Sequence, residues 1–309
     1  MKNYIIGGGV AGLSLALIDE SFIIIDKNPL GQLNSKYILG PRLIQKNEYT
    51  DKFFTKYSDI LRLYNVVESI AKIGYEYYDN VISNNADENF KRIYSTITRN
   101  KAEYESSFLS ESNNEVKHFI FKSENDCYSD LFVRIYSKLE SEGRIIRDKV
   151  VKICPDNKII ELENSQVKYD NLVSTINANI FNKIIYGHRL DFDLSTKNKN
   201  FYVRKYTSED EDLYVYYNYV YYINGLYTRK TFYNNYVVYE SEEPKQELED
   251  DCIYKVLNLP IQIVNSCNII KHNGIHMLGR YAQWEHSIKF NEILKEIEER
   301  IIPNIREQK

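Results

Sequence analysis

The sequence has few of the residues that mark secreted, zinc-binding or membrane-spanning proteins. Its four cysteines are Cys127, Cys154, Cys252 and Cys267, and no two of them form a CxxC pair. This wide spacing argues against a zinc site and against a disulfide framework. We find in the sequence no run of roughly 18 uninterrupted apolar residues, which a spanning helix would need.

Histidine is also scarce, with five in 309 residues. Only His272 and His276 stand four apart, and Asn273-Gly274 between them predicts a turn. The two side chains would then not share one face of a helix, as the histidines of a zinc pair do. We therefore predict no metal site.

Neither sign of charge dominates the chain. The formal net charge is −4, so the sequence lacks the basic field typical of proteins that bind nucleic acid. The first residues run directly into a glycine motif without an apolar leader. We expect a cytoplasmic protein with no signal peptide, no transmembrane segment, no nucleic-acid partner and a small-molecule substrate, and we leave its oligomeric state open.

The first residues contain the strongest pattern in the chain. Asn3 to Ile6 predict a short buried strand, GGGVAG at residues 7–12 is a GxGxxG motif, and residues 13–18 are apolar with helical character. A second apolar run at residues 22–25 ends at Asp26, which is placed to accept hydrogen bonds from ribose hydroxyls. This order of strand, glycine turn, helix, strand and acid is that of a dinucleotide-binding βαβ unit.

Each residue type in the glycine motif has a physical role. Gly7 permits the tight turn, Gly9 lets the backbone approach a pyrophosphate, and Gly12 lets the helix pack closely on the sheet. The start of the helix, at Val10 and Ala11, offers unpaired N–H groups and the positive end of the helix dipole to phosphates. On these residues alone, FAD and NAD both fit.

The residues that follow the acid resemble a known family. KNPLGQ at 27–32 and YILGPRLI at 37–44 are similar to the flavoprotein superfamily of amine oxidases, protoporphyrinogen oxidases and UDP-galactopyranose mutases. In that superfamily a glycine-containing loop follows the acid and lies along the flavin. The mutases have a Gly-Pro-His loop there, and Arg42 stands where they have histidine, which weighs against mutase chemistry. The cofactor residues implied by the resemblance are Lys27, Gly31, Gln32, Gly40, Pro41 and Arg42.

A middle block of the sequence is similar to the same superfamily. Residues 128–140 predict an amphipathic helix and residues 144–153 a strand. The resemblance implies that Val151 in this strand holds the adenine through backbone contacts. YDNLVSTI at residues 169–176 looks like the YDxLVSTIP strand of the superfamily, which implies that Thr175 lies at the cofactor.

A third block lies near the end of the sequence. GRYAQWEH at residues 279–286 follows a short predicted strand and precedes a predicted helix at about residues 288–301. It resembles the GRYGxWxY strand–turn–helix of the superfamily, in which the glycine lets the backbone run against the cofactor and the helix start faces the flavin. Negative charge develops there on reduction, and N–H groups would stabilise it. Such an element favours FAD over NAD. The cofactor residues implied here are Gly279, Arg280, Trp284 and Ile288.

The remaining segments predict two further parts of the protein. Residues 49–124 predict a helical insertion with an apolar stripe across residues 60–70, and residues 186–267 predict an antiparallel sheet in a substrate domain. We therefore predict an α/β fold with a Rossmann-type FAD-binding domain, an inserted helical segment and an antiparallel-sheet substrate domain. The FAD-binding domain would be discontinuous and comprise residues 1–48, 125–185 and 268–309.

Three functions fit these patterns. The first is an FAD-dependent oxidoreductase in which a small-molecule substrate gives a hydride to flavin N5. The second is a redox-neutral reaction on a nucleotide sugar, like that of UDP-galactopyranose mutase, and the third is a non-catalytic flavin-fold protein that binds a partner or a lipid. YTR at residues 227–229 resembles a motif of the mutases, and its guanidinium would suit an anionic substrate or brace the flavin. The candidates for catalysis are Arg42, Arg229 and His286.

Overall fold

The computed structural model describes most of the chain. The described residues are 1–30, 43–62, 66–70, 72–76, 81–84, 86–98, 117–121, 128–187, 196–208, 210, 213, 216–233, 236–246, 252–260, 274–283 and 288–307.

Strands and helices both occur along these residues, and several strands follow one another without a described helix between them. The strands are β1 (Asn3–Ile6), β2 (Phe22–Ile25), β3 (Leu43–Gln45), β4 (Val66–Ile70), β5 (Ile73–Glu76), β6 (Ile82–Ser83), β7 (Lys117–Phe121), β8 (Ile145–Ile146), β9 (Val150–Cys154), β10 (Ile159–Leu162), β11 (Gln166–Lys168), β12 (Asn171–Ser174), β13 (Thr196–Lys205), β14 (Tyr219–Tyr222), β15 (Arg229–Tyr233), β16 (Tyr236–Ser241), β17 (Ile253–Pro260) and β18 (Ile275–Met277). The helices are α1 (Val10–Ile18), α2 (Glu48–Lys56), α3 (Ser58–Leu61), α4 (Glu88–Thr98), α5 (Tyr128–Ser141), α6 (Ala178–Tyr186), α7 (Arg280–Gln283), α8 (Phe290–Glu296), a π-helical turn (Ile297–Ile301) and α9 (Ile302–Glu307).

A parallel sheet organises the first part of the fold. Within the described residues its strand order is β18-β12-β1-β2-β8, with β1 in the middle and β18 and β8 at the edges. The registers pair Asn3 with Phe22 on one side and with Asn171 on the other. Parallel strands need crossover connections, and α1 is the crossover between β1 and β2. The predicted order of strand, turn, helix and strand is therefore confirmed.

Both faces of the parallel sheet are covered, so its strands are apolar on both sides. Ile5 and Val173 face a core that includes residues of α1, α5 and the C-terminal helices, whereas Tyr4 and Leu172 face a second core. The second core includes Ile153 from the small antiparallel sheet β11-β10-β9, as well as residues of α6. The result is a layered α/β arrangement, as predicted.

A mixed sheet forms the second part of the fold. Among the described residues its strand order is β17-β13-β16-β15-β14-β5-β6. The strands from residues 186–267 pair antiparallel, as predicted, but β14 pairs in parallel with β5, which comes from the segment predicted as an insertion. This sheet therefore joins two separate stretches of the chain.

The sequence had predicted that the segment at residues 49–124 is helical, and this prediction was wrong for part of the segment. It contains α2, α3 and α4, but also β4, β5, β6 and β7. The stripe across residues 60–70 was misassigned, because Val66–Ile70 is a strand paired with β7. Short apolar runs do not distinguish helix from strand by period alone, and β-branched residues such as Val66, Val67 and Ile70 favour a strand. No helix of the described residues is long and apolar enough to span a membrane.

Candidate dinucleotide-binding site

The glycine turn between β1 and α1 excludes side chains at two of its positions. Gly7 has a φ of +108°, and a Cβ there would lie 2.4 Å from the Thr175 hydroxyl oxygen. A Cβ on Gly12 would lie 2.0 Å from the carbonyl oxygen of Gly7, because α1 packs directly on the turn. Gly7 therefore requires glycine for both packing and backbone conformation, and Gly12 requires it for packing.

Gly9 differs from these two glycines because it borders open space. A Cβ built on Gly9 would meet no described atom within 4 Å. Gly9 is also the N-cap residue of α1; no side chain caps the helix there, and its first turn has no acidic residue. The N–H groups of Val10 and Ala11 lie in this first turn, next to the open space. Such a helix start attracts anions and suits a pyrophosphate.

Asp26 lies at the carboxyl end of β2 beside this turn. One of its carboxylate oxygens accepts a hydrogen bond from the Gly8 N–H at 2.6 Å, and the other accepts one from the Asn28 N–H at 2.8 Å. A carboxylate can accept about four hydrogen bonds, so it has room for the hydroxyls of a ribose. Lys27 is exposed beside it, and the Leu30 N–H donates to the Gly8 carbonyl at 3.0 Å, which folds this segment back onto the turn.

Thr175 follows β12 and lies behind the glycine turn. Its hydroxyl is 3.1 Å from the carbonyl oxygen of Ile6 and 3.0 Å from that of Gly7, and its N–H donates to Ile6 at 2.9 Å. Thr175 therefore fixes the turn that would meet the pyrophosphate. The sequence had placed this residue at the cofactor without indicating its contact with the turn.

Val151 occupies an irregular position in β9. Glu161 pairs with Lys152, and the next residue, Leu162, pairs with Val150, so that Val151 is the extra residue of a β-bulge. Its side chain is exposed, and β9 is at the edge of its three-stranded sheet. Bulges leave backbone groups unpaired and are common next to functional sites. This geometry suits the backbone contact that the resemblance implies.

The C-terminal turn packs against the start of α1. Gly279 has a φ of +88°, and a Cβ there would lie 3.1 Å from the Ala11 Cβ. Arg280 follows in α7 and donates from its guanidinium to the Ile288 carbonyl at 3.2 Å. The N-terminal and C-terminal motifs, far apart in sequence, therefore meet at the glycine turn.

Arg229 lies elsewhere, in the mixed sheet. It donates to the Glu240 carboxylate on the neighbouring strand, with 2.8 Å between Nε and Oε1, and its guanidinium lies over the rings of Tyr219 and Tyr221. The other oxygen of Glu240 is 3.1 Å from Lys199 Nζ, and neither of these two side chains is appreciably exposed. Burial lowers the pKa of Arg229, but Glu240 and the neighbouring tyrosines Tyr221, Tyr94 and Tyr219 together raise it by more and hold that pKa well above its usual value.

Several predicted site residues are not among those that the structure describes. Gly31, Gln32, Gly40, Pro41, Arg42, Trp284 and His286 lie outside the described residues. Within the described ranges, no group of three or more His, Cys, Asp or Glu side chains is arranged to hold a metal ion.

One residue that supports the site was missed by the sequence reasoning. Arg144 precedes β8, and its guanidinium donates to the carbonyl oxygens of Ala16, Asp19 and Phe22. It therefore satisfies carbonyls at the C-terminal end of α1, which have no partner within the helix. No spacing rule links Arg144 to α1, because the two are brought together only when β8 pairs with β2.

No protein-family model and no curated protein sequence matches this chain. Solved structures match it through their fold. The crystal structure of reduced UDP-galactopyranose mutase has a TM-score of 0.68 and 13% identity, and the match covers 99% of this chain and 95% of that one. A redesigned putrescine oxidase has a TM-score of 0.61 and 9% identity over 100% of this chain and 99% of the other.

A third matching structure is CtdE in complex with FAD. It has a TM-score of 0.53 and 12% identity, over 99% of this chain and 91% of CtdE. At these identities the likeness concerns the fold. The chain shares its fold with these three proteins.

Proposed function

We propose that this protein binds FAD and is an FAD-dependent oxidoreductase acting on a small molecule. The observation that carries the proposal is the glycine turn: a Cβ on Gly9 would meet no described residue within 4 Å, at a helix start that no side chain of the described residues caps, while Gly7 and Gly12 are closed by packing. Asp26 lies next to this space with acceptor capacity for a ribose. The fold shared with CtdE in complex with FAD gives independent support.

The contact between Gly279 and Ala11 favours FAD over NAD as the ligand. In this proposal the open side of the turn binds the pyrophosphate, Asp26 the ribose and the bulge at Val151 the adenine. The C-terminal turn at Gly279 then lies beside the part of FAD that extends from the pyrophosphate towards the flavin. The FAD-binding domain comprises residues 1–48, 125–185 and 268–309, and the substrate domain comprises residues 186–267 together with β5 and β6.

If FAD is bound, it would supply the hydride acceptor of the reaction. The chain's own residues orient the substrate and keep water out. Helix α7 contacts β17, so the mixed sheet reaches the C-terminal turn at the site. The interior of the mixed sheet contains buried aromatic rings that pack against each other, such as Tyr75 and Tyr221 with 5.8 Å between their centroids. In this proposal the Arg280 guanidinium, which donates to the Ile288 carbonyl at 3.2 Å, contributes positive charge to the pyrophosphate or flavin side of the site.

The second candidate is redox-neutral chemistry like that of UDP-galactopyranose mutase. The fold match to that mutase and the YTR motif at residues 227–229 favour it. Against it, Arg229 already donates to the buried Glu240, which leaves fewer of its N–H groups to bind a nucleotide sugar. The third candidate, a non-catalytic flavin-fold protein, would bind FAD without any turnover.

The first experiment is the absorption spectrum of the purified protein, before and after anaerobic dithionite. We expect the two bands of oxidised flavin, their bleaching on reduction, and release of FAD on denaturation. A protein that is colourless and does not take up added FAD would contradict the proposal. A panel of amines and amino acids tests for net oxidation by bleaching without dithionite, and UDP-galactopyranose tests the reduced protein for isomerisation.

A further inference from the structure

We propose that Gln283, Glu296 and Arg300 form a hydrogen-bonded ring that positions the cofactor-binding turn at Gly279. This inference rests on the proposed FAD binding and deepens it by assigning positioning residues that do not touch the cofactor. We call this set, together with the carbonyl of Met277, the carbonyl ring.

The carbonyl ring closes through four polar groups. The Met277 carbonyl oxygen accepts from Gln283 Nε2 at 3.1 Å and from Arg300 Nη2 at 2.7 Å. The Glu296 carboxylate accepts from the same two side chains, from Gln283 at one oxygen and from Arg300 Nε at 2.9 Å at the other. Each donor therefore bridges the same two acceptors, and moving any one member disturbs the other three.

The position of Met277 explains why its carbonyl needs these donors. It is the last residue of β18, which is an edge strand of the parallel sheet, and its side chain is buried. An edge strand presents backbone groups that no neighbouring strand pairs, and buried carbonyls without partners are costly. Gln283 from α7 and Arg300 from the π-helical turn fill this role. The Met277 carbonyl oxygen thus links β18 with α7 and with the π-helical turn.

The held segment is the one that approaches the glycine turn. Only Leu278 separates Met277 from Gly279, whose backbone lies against Ala11 in the first turn of α1. Gln283 is also bonded through its backbone N–H to the Gly279 carbonyl at 3.0 Å. The ring therefore fixes both ends of residues 277–283, and with them the place of Gly279 and Arg280 beside the site.

The π-helical turn supplies one of the donors. Arg300 lies within Ile297–Ile301, where the wider helical turn interrupts the regular helix, and Glu296 immediately precedes this turn. Single π turns within helices are rare and are frequent at functional sites. Here the π-helical turn brings the Arg300 guanidinium to the Met277 carbonyl, while Arg300 also stays paired with Glu296. Arg300 is 40% exposed, so a substitution there does not open the core.

The test compares two ring variants with two matched controls in the full-length protein. The ring variants are Arg300→Met and Glu296→Gln, and the controls are Arg306→Met and Glu307→Gln, which change the same residue types at exposed sites in α9. Three quantities are measured for each: the Tm of the apo protein, the Kd for FAD by titration, and hydrogen exchange of residues 277–283 without FAD.

We expect both ring variants to bind FAD about tenfold more weakly than their controls, with similar Tm and with faster exchange at residues 277–283. Arg300→Lys, which keeps a charge but cannot bridge both acceptors, should fall between the wild type and Arg300→Met. The double variant Arg300→Met/Glu296→Gln should lose less free energy of FAD binding than the sum of the losses in the two single variants, because both residues act in one ring.

Equal Kd values for ring and control variants would overturn the inference. A lower Tm with unchanged exchange at residues 277–283 would overturn it too, since the ring would then act only on global stability. If the wild type bound no FAD, the proposed function would fail separately. Exchange at residues 277–283 would still decide the positioning role, with faster exchange in the ring variants supporting it and unchanged exchange overturning it.

Discussion

Arg229 and Glu240 are directly opposite each other in the register of β15 and β16, and the Glu240 carboxylate is fully buried between Arg229 and Lys199. Two cations therefore face one carboxylate inside the mixed sheet. Removing the charge of a buried partner leaves the other charges in a poorly solvating environment. We therefore expect Glu240 to stabilise the mixed sheet.

We expect Glu240→Gln to lower the free energy of unfolding by about 3 kcal/mol, because the negative charge that both cations face is lost. Urea denaturation of the two proteins measures this change. Glu243→Gln is the matched control, since Glu243 is exposed just beyond β16 and its substitution should leave the denaturation midpoint unchanged. A similar midpoint for Glu240→Gln would show that the pair contributes little.

The glycine turn gives a prediction that separates cofactor binding from folding. Gly9→Ala adds a Cβ into open space and should leave the Tm of the apo protein close to that of the wild type while it weakens FAD binding at least about tenfold. Gly12→Ala serves as the comparison, because its Cβ would strike the Gly7 carbonyl oxygen and should lower the Tm itself. Thermal melts and FAD titrations on the same preparations measure both effects. Unchanged FAD affinity in Gly9→Ala would contradict the assignment of this space to the pyrophosphate.

Arg144 is expected to contribute to stability more than its neighbour Arg147. Arg144→Leu removes donors from three carbonyls near the C-terminal end of α1 and should cost about 2 kcal/mol of unfolding free energy. Arg147→Leu removes an exposed pairing with Glu140 and should have a smaller effect. Chemical denaturation of both variants gives the comparison. Equal losses would mean that capping of α1 is not the source of the effect.

His276 predicts a dependence of stability on pH. Burial lowers the pKa of His276 below its usual value of 6.5, and the charge of Arg300 lowers it further. The unfolded chain therefore takes up a proton at a higher pH than the folded protein does. The contribution of neutral His276 to the free energy of unfolding is fully present above about pH 7 and is lost as the pH falls through 6.5. Below the folded pKa of His276 the loss is complete and stability no longer changes with pH through this group.

The pH dependence is measured as the denaturation midpoint at pH 7.5 and at pH 5.5. We expect the wild type to lose more stability between these values than His276→Gln, which cannot take up the proton. The same loss in both proteins would show that other groups govern this range. Glu142 and Asp210, whose folded pKa values are lowered, act in a more acidic range and should affect both proteins equally.

The sequence predicted the parts of the fold in which local pattern and local structure agree. The strand at Asn3–Ile6, the glycine turn, the strand at Phe22–Ile25 and the helix at Tyr128–Ser141 could all be predicted, because periodicity and turn residues determine them within short windows. The family resemblance implied that the backbone at Gly279 runs against the cofactor, but it did not indicate the contact of Gly279 with Ala11. The residues around Gly279 and those of the glycine turn carry no local signal that the two segments meet.

Features that depend on pairing between distant segments could not be predicted in this way. The strand β5 pairs with β14, with Ile73 opposite Tyr219, and no local signal in the segment at residues 49–124 identifies that partner. The pairing of Arg229 with Glu240 depends on the register of β15 and β16, which a shift of one residue would reverse. The carbonyl ring depends likewise on a π-helical turn, for which the sequence carries no recognised pattern.

The strand order of the parallel sheet also sets the sequence of events during synthesis. β1 is made first, but its neighbour β12 carries an open edge until β18 and the C-terminal helices leave the ribosome. Contacts between such distant segments form slowly, and an open edge is a site for wrong pairing in the meantime. Until β18 is made, the edge of β12 is therefore open to wrong pairing. Gly279 follows β18 in the same segment, so the proposed cofactor site is completed only after this segment has been made.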